Sequence, residues 1–168
     1  SPAVAASALC DLCLSTGLCT RTDVVGWRCS TGVPDTDACT GSWTGLSCES
    51  GDLTSISLSQ RGVSGSLPSS VSVLTKLRVL NFYRNSLSGS LPSELGSLRE
   101  LSVLSLGENK LVGSIPSSFG SLTKLVDLGM FANSLVGSIP SSLGSLSKLM
   151  TLILYDNRLS GTIPSSIG

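Results

Sequence analysis

Six cysteines are the residues of this chain with the most evident chemistry, and all of them fall within the first 48 residues: Cys10, Cys13, Cys19, Cys29, Cys39 and Cys48. An even number of cysteines concentrated at one end predicts disulfides formed in an oxidising compartment. Two alternatives stay open. Cys10 and Cys13 form a C-x-x-C motif of the kind that zinc sites use, although no second C-x-x-C accompanies it. A thioredoxin-like redox role would place that motif at a helix start inside a βαβ pattern, which is missing. We expect structural disulfides, no free thiol and no metal site.

Catalytic residues are scarce. The chain contains no histidine, which excludes Ser-His-Asp and Cys-His catalysis, histidine-ligated metals and the ordinary proton shuttle at neutral pH. The carboxylates of Glu94 and Glu100 are expected on turns rather than opposite each other across a cleft. No glycine-rich phosphate loop or serine-nucleophile motif occurs. We therefore expect no catalytic residues, no cofactor and no enzymatic activity.

The charge balance and the hydropathy narrow the choice of partners. The chain has 11 basic and 11 acidic residues, and this zero net charge argues against nucleic acid as a ligand. No apolar run approaches the roughly 18 residues that span a bilayer. The opening Ser-Pro-Ala-Val-Ala-Ala-Ser-Ala is typical of a mature secreted chain whose signal peptide has been removed. We expect an extracellular or secretory-pathway location, as a secreted protein or the ectodomain of a membrane protein.

The elements that must position any site come from a 24-residue repeat. Near-identical segments start at Leu53, Leu77, Leu101, Leu125 and Leu149. Leucine recurs at repeat positions 1, 4, 6 and 11, asparagine at position 9, and proline three residues after a glycine. We divide the chain into a Cys-rich N-terminal cap, residues 1–52, and five repeats, 53–168. The repeats are 53–76, 77–100, 101–124, 125–148 and an incomplete 149–168.

Each part of the repeat has a physical role. The alternation in V-L-N-F-Y (79–83) predicts a short strand, and strands of successive repeats should pair in parallel as one long sheet. Asparagine amides after each strand can donate and accept at once, satisfying backbone groups where the chain turns inward; they are Asn85, Asn109, Asn133 and Asn157. We call each folded 24-residue repeat a rung. One rung buries too little apolar surface to fold alone, so the rungs must stack and the cap must cover the first rung.

Residues 53–168 resemble the plant-type extracellular leucine-rich repeat, LxxLxLxxNxLxGxIPxxLGxLxx. The stretch Cys39–Cys48, with Trp43-Thr-Gly45 inside it, resembles the W-x-G-x-x-C end of that family's N-terminal cap. This cap is divergent, since two extra residues separate the pair and four more cysteines precede it. The resemblance implies a Cys39–Cys48 disulfide; the pairing of the other four cysteines stays open. It also implies an α/β-type solenoid dominated by β, a right-handed superhelix with a parallel sheet on its concave face and a disulfide-stapled cap.

The resemblance extends to the ectodomains of leucine-rich-repeat receptor-like kinases. It implies a non-catalytic extracellular module that binds a protein or peptide ligand on the concave sheet face. One alternative is a structural subunit or scaffold of a larger assembly, able to stack end to end. A second is an ice-binding or cell-wall-glycan-binding surface, because serines recur at repeat positions 14 and 17 as hydroxyl ladders.

The candidate ligand-binding residues occupy outward positions 7 and 8 of the repeats: Tyr83, Arg84, Glu108, Phe131, Tyr155 and Asp156. Tyr83 and Phe131 are expected two rungs, about 10 Å, apart. Gly107 and Gly129 should leave a hollow with aromatic edges that accepts a protruding ligand side chain. The plainer alternatives are that the aromatic residues cover their neighbours and that Arg84 and Glu108 simply pair.

The fifth repeat stops at Gly168 without capping cysteines, an amphipathic helix or polar substitutions. Its apolar residues would present one side with no further rung to cover them. We expect either that the chain is a fragment of a longer solenoid or that a partner, further repeats or another copy covers this end.

Overall fold

The computed structural model describes residues 2–30, 33–34 and 37–167. The cap opens with helix α1, Pro2–Ser15, followed by a 3₁₀ turn, Leu18–Thr20. Strands β1 (Cys29–Ser30) and β2 (Val33–Pro34) then pair antiparallel. Within the described ranges, no helix is both long and apolar enough to cross a membrane.

The rungs build a six-stranded sheet. The cap strand Leu46–Glu49 (β3) pairs antiparallel with the strand of the first rung. The pairings between the strands of successive rungs are parallel. Each strand is joined to the strand one repeat later in the same register, so that Leu80 lies opposite Leu104. This confirms the predicted parallel sheet. The strands, in spatial order, are β3 (Leu46–Glu49), β4 (Asp52–Ser57), β6 (Val79–Asn81), β8 (Val103–Ser105), β10 (Asp127–Gly129) and β12 (Thr151–Ile153).

A second parallel sheet lies on the flank and was not predicted from the sequence. Each of its strands comes after repeat position 9, which is asparagine in all repeats but the first, and ends at or near the repeat glycine. That glycine adopts a left-handed backbone, as at Gly89 with φ 77°. Serine- and glycine-rich strands carry little β-propensity, and only their neighbours in adjacent rungs hold them extended. Its strands are β5 (Ser64–Gly65), β7 (Ser86–Ser90), β9 (Lys110–Gly113), β11 (Ser134–Ser138) and β13 (Arg158–Ser160).

A short 3₁₀ helix closes the convex side of each rung. The repeat proline stands immediately before it with an extended backbone, as at Pro116 (φ −65°, ψ 134°). Proline fixes φ near this value and has no N–H that needs a hydrogen-bond partner, and both properties suit a residue at the start of a helical turn. The helices are Ser69–Val73, Ser93–Ser97, Ser117–Ser121, Ser141–Ser145 and Ser165–Ile167.

The core runs along the solenoid axis between the two sheets and the 3₁₀ helices. Repeat positions 15, 19 and 22 are buried in the second repeat, at Leu91, Leu95 and Leu98. Phe82 and Phe119 are fully buried. Burial decreases in the fifth rung: Ile163 is 74% exposed, whereas Ile115, at the same repeat position, is 3% exposed.

The repeat asparagines connect each rung to the one before it. The Asn109 amide nitrogen donates to the carbonyl oxygens of Phe82 (2.9 Å) and Leu106 (3.0 Å), while its oxygen accepts the N–H of Leu87 (2.9 Å). Asn133 repeats this pattern one rung later, with Leu106, Met130 and Leu111. One side chain therefore satisfies backbone groups of two rungs, the role that the sequence suggested.

Glycine at repeat position 20 lets the convex backbones approach closely. A Cβ on Gly120 would lie 2.4 Å from the carbonyl oxygen of Ser142 in the next rung. Gly96 and Gly144 are confined in the same way by Ser118 and Ser166. Between the second and fifth rungs these glycines therefore allow a backbone approach that a Cβ would obstruct, whereas the first rung has Ser72 at this position.

Three disulfides hold the cap together: Cys10–Cys29, Cys13–Cys19 and Cys39–Cys48. The last is the bridge that the family resemblance implied, and the first two resolve the open pairing. No cysteine is free. The buried rings of Trp27 and Trp43 pack together with centroids 5.3 Å apart.

The cap covers the first rung at both sheets. Strand β3 occupies the edge of the six-stranded sheet. Beside the second sheet, the Ser15 carbonyl at the end of α1 accepts the N–H of Ser66. Gly65 is required there, because its Cβ would lie 1.8 Å from the Ser15 oxygen. An otherwise unpaired sheet edge is thereby covered.

We predict that Gly120→Ala destabilises the protein by about 1–3 kcal/mol, because the added methyl forces two rungs apart. Urea denaturation gives the free energy of unfolding. Gly129→Ala is the matched control, since a Cβ there meets nothing within 4 Å. Equal stability of the Gly120→Ala variant and the control would show that the rungs relax freely.

We expect Asn109→Ala to lower the free energy of unfolding by about 1–3 kcal/mol. The Leu87 N–H loses its acceptor, and the carbonyl oxygens of Phe82 and Leu106 each lose one of their two amide donors. Asn81→Ala is the control. Asn81 lies on the outer sheet face and accepts only the nearby Tyr83 N–H (2.9 Å) alongside a long contact to Ser57. A loss at Asn109 no larger than at Asn81 would contradict the bridging role.

Candidate ligand-binding face

The outward residues of the six-stranded sheet form the concave face. Side chains alternate between the two sides of a strand, so repeat positions 4 and 6 enter the core and positions 3, 5 and 7 face outward. In β10 this is seen in Leu128, which is fully buried between the half-buried Asp127 and Gly129. Any ligand on this face meets the same three outward columns in every rung.

Three of the predicted site residues form one aromatic column. The Tyr83 and Phe131 rings have centroids 5.9 Å apart, and Phe131 stacks on Tyr155 at 4.9 Å. Tyr155, at the outer end of the column, is 61% exposed. The column is therefore a continuous aromatic surface over four rungs.

The predicted hollow at Gly107 is wrong. The separation of about 10 Å expected for Tyr83 and Phe131 applies to their backbones, but their side chains lean together across the intervening rung. The Phe131 ring lies over Gly107, so that a Cβ there would be 2.5 Å from Phe131 Cε1. Gly107 is buried, and its lack of a side chain makes room for the ring rather than for a ligand.

The space at Gly129 is open. A Cβ built on Gly129 would have no heavy atom within 4 Å. Its strand neighbours at the same repeat position are Ser105 and Ile153. Of the two glycines expected to leave a hollow, only this one does so.

Arg84, Glu108 and Tyr83 form a polar group beside the column. The Tyr83 hydroxyl donates to Glu108 Oε1 at 2.7 Å, and Arg84 Nε lies 3.5 Å from Glu108 Oε2. The hydrogen bond to the carboxylate, with desolvation as the second cause, raises the pKa of Tyr83 above its ordinary value. The predicted pairing of Arg84 with Glu108 is confirmed, and the phenol that joins it was not foreseen.

Position 8 residues share an unusual backbone. Gln60, Arg84, Glu108, Ala132 and Asp156 all have φ between 49° and 56°. Such left-handed residues are uncommon when they are not glycine. The bend directs the chain from the sheet into the asparagine turn, and it fixes Arg84, Glu108 and Asp156 at one edge of the concave face.

Sequence reasoning missed Asp127. It stands at outward position 3 of β10, two residues before Gly129, and its strand neighbours are the uncharged Val103 and Thr151. Across the residues that the structure describes, its carboxylate has neither a hydrogen bond nor an ion pair. The available signal was the column at position 3, which has a charged residue only in this rung.

Serines of the convex side and of the flank have different roles. Hydroxyls at position 18, outside the two predicted ladders, hold adjacent rungs together by donating to carbonyls of the position 17 serines: Ser118 to Ser93 (2.6 Å) and Ser142 to Ser117 (2.7 Å). The serines at position 14 are exposed along the second sheet. Val112 and Val136 lie beside them, 45% and 43% exposed.

The cap brings several sulfur atoms together. Those of Cys13, Cys19 and Cys29 lie within 4.8 Å of one another. Each is part of a disulfide, whereas the thiolate is the form of cysteine that binds a metal. The geometry therefore favours the structural interpretation of the C-x-x-C motif over zinc.

The repeat can now be compared with known proteins. A sequence profile of the Leucine Rich Repeat family matches residues 76–98, 100–122 and 148–168. A chain of the BIR3–SERK2 complex from Arabidopsis thaliana is 38% identical with a TM-score of 0.74, over 80% of this chain and 74% of that chain. The protein belongs to the leucine-rich-repeat family. Its Cys-rich segment is the N-terminal cap of the repeats.

Two further solved structures extend the comparison of this leucine-rich-repeat protein. The BIR2 ectodomain from Arabidopsis thaliana is 27% identical with a TM-score of 0.82, over 95% of this chain and 84% of that one. A plant ice-binding protein is 32% identical with a TM-score of 0.81; the match includes 95% of this chain but 50% of that protein. A search of curated protein sequences gave no significant match.

We predict that the pKa of Tyr83 falls toward its ordinary value in the Glu108→Gln variant. The measurement uses a Tyr155→Phe background, where Tyr83 is the only phenol, and follows tyrosinate by ultraviolet absorbance. Because the folded-state pKa is raised, the associated stability is present at neutral pH and is lost as pH rises through that pKa. Asp156→Asn is the charge-matched control. An identical Tyr83 pKa with and without the Glu108 carboxylate would contradict this assignment.

Proposed function

We propose that this leucine-rich-repeat protein is a non-catalytic module that binds a protein or peptide partner on its concave sheet face. The observation that carries the proposal is the outward-facing aromatic column, in which Tyr83 and Phe131 are half-buried and Tyr155 is exposed. Aromatic residues make up 4% of the chain, and three of its seven stand together on this surface. Aromatic side chains dominate the binding energy of protein interfaces.

The polar site residues have a complementary part in this proposal. Arg84, Glu108 and Asp156 stand at the edge of the column, where charged side chains select partners and orient them more than they add affinity. Arg84 and Glu108 offer both signs of charge to a partner. The carboxylate of Asp156, without an ion pair in the described chain, adds a negative charge next to Tyr155.

The comparisons support binding to a protein partner. The similar BIR3–SERK2 structure is itself a complex, and the BIR2 chain is an ectodomain. Three disulfides are consistent with folding in an oxidising compartment. We accordingly place this module outside the cell or in the lumen of the secretory pathway.

The flank of the second sheet supports a second candidate, binding to ice or to a glycan. Exposed serines recur there once per rung next to Val112 and Val136, and a plant ice-binding protein has a similar fold. Thermal hysteresis of the purified protein distinguishes this candidate from partner binding. Ice activity that disappears in a Val112→Lys variant would support the flank.

The main test replaces Tyr83 and Phe131 together by serine. Wild-type protein and this variant serve as parallel baits for the secreted and membrane fractions of the source organism, and retained proteins are identified by mass spectrometry. We expect a partner that the variant loses, with an affinity at least about tenfold weaker by calorimetry, because such anchors contribute about 2 kcal/mol or more each.

A flank variant, Ser90→Ala with Ser138→Ala, is the matched control and should retain the partner. Circular dichroism and urea denaturation verify that both variants fold. Partner affinity that is unchanged in the aromatic variant, or lost in the flank variant, would move the binding site away from the concave face.

A further inference from the structure

We infer that the concave face recognises its partner through a lysine or arginine side chain laid over Gly129 with its charge against Asp127. This inference rests on the proposed function and names the chemistry of the ligand. It combines three independent features of β10 and its neighbours: an open space, an unpaired carboxylate and an apolar wall. We call this place the Gly129 notch, formed by Asp127, Gly129, Phe131 and Ile153.

The space is a local property of one rung. Gly129 has no heavy atom within 4 Å of the position of a Cβ, whereas the same position bears a side chain in every other repeat: Ser57, Asn81, Ser105 and Ile153. The neighbouring strands hold Gly129 in register with Ser105 on one side and Ile153 on the other. Among the five residues at this repeat position, only Gly129 leaves the sheet backbone uncovered by a side chain of its own.

The charge at one end of the notch lacks a partner. The Asp127 carboxylate makes no hydrogen bond or ion pair with any residue in the described ranges, although its backbone N–H donates to the Ser102 carbonyl. Two of the chain's cations have carboxylate partners elsewhere: Arg84 contacts Glu108, and Lys124 bonds the Glu100 carboxylate. Within the described ranges, the Asp127 and Asp156 carboxylates form no ion pair, and charge complementarity favours a basic ligand beside them.

The opposite end of the notch is apolar. Phe131 and Tyr155 stack at the position 7 column, and the half-buried Ile153 borders Gly129. Outward positions of a strand are about 6.6 Å apart, two residues of about 3.3 Å. Lysine and arginine have apolar stems long enough to cover this distance while the charged head reaches a carboxylate. A short or neutral side chain meets only part of the notch.

The probe for this inference is Nα-acetyl-L-arginine-N-methylamide, compared with the corresponding citrulline derivative. Citrulline has nearly the same shape without the charge, so the difference between the two isolates the role of Asp127. Titration of isotope-labelled protein is followed by nuclear magnetic resonance at the Gly129 amide and the Phe131 ring. We expect saturable shifts with the arginine probe, and binding at least about threefold weaker for citrulline.

Two variants test the notch itself. Asp127→Asn removes the charge, and Gly129→Ala fills the space; each should weaken the arginine probe at least about threefold. Asp52→Asn, an exposed aspartate at the start of β4, is the charge-matched control and should leave the titration unchanged. Equal binding of arginine and citrulline probes, or wild-type binding by Asp127→Asn, would overturn the inference.

The partner found with the wild-type bait separates this inference from the proposed function. A partner that is lost with the Tyr83 and Phe131 serine variant but bound unchanged by Asp127→Asn overturns only the role of the notch. A partner that binds all of these variants equally overturns both. Loss of binding in the serine variant together with a weakened Asp127→Asn variant supports both.

Discussion

The stacking of one rung on the next is the constraint on which the rest of this structure depends. A single 24-residue rung has no partner for the hydrogen bonds of its strands and leaves much of its apolar surface uncovered. The repeat asparagines meet this constraint directly, since Asn109 bonds the backbone of its own rung and of the preceding one. On the convex side, glycine at position 20 allows the backbones of adjacent rungs to approach each other closely. Both residues act between rungs, and the asparagine also bonds the turn of its own rung.

The cap supplies the first rung with the stacking partner that a preceding rung would otherwise provide. A strand with no rung before it would expose a row of backbone donors and acceptors. The cap supplies β3 at the main sheet and the Ser15 carbonyl at the flank. The cap has a small core around Trp27 and Trp43, and it also has three disulfides. The disulfides compensate for the small apolar surface that so short a segment can bury. Glycine is needed at Gly45 of the cap motif, because a Cβ there would lie 2.4 Å from the Ser57 carbonyl oxygen.

Binding chemistry is left to the side chains that stacking does not use. Positions 3, 5 and 7 of each strand point away from the core, so they can differ among rungs at little cost to the fold. The concave face accordingly changes from serine in the first rung to an aromatic column and an acidic notch in the later ones. A rigid parallel sheet holds these side chains at fixed spacings, which limits the entropy lost when a partner binds.

The sequence by itself determined the solenoid, because a strict period repeats the same local physics five times: strand, asparagine turn, proline-led helical turn. It also placed Phe82 in the core and Tyr83 outside, since alternation along a strand has only two outcomes. Only the tertiary structure decided which contacts form between neighbouring rungs and within the cap. The flank sheet depends on neighbours rather than on propensity, and the first four cysteines pair according to how α1 docks. Likewise Phe131 fills the space above Gly107 and leaves Gly129 open, because the direction in which a ring leans is set by packing against adjacent rungs and not by its place in the repeat.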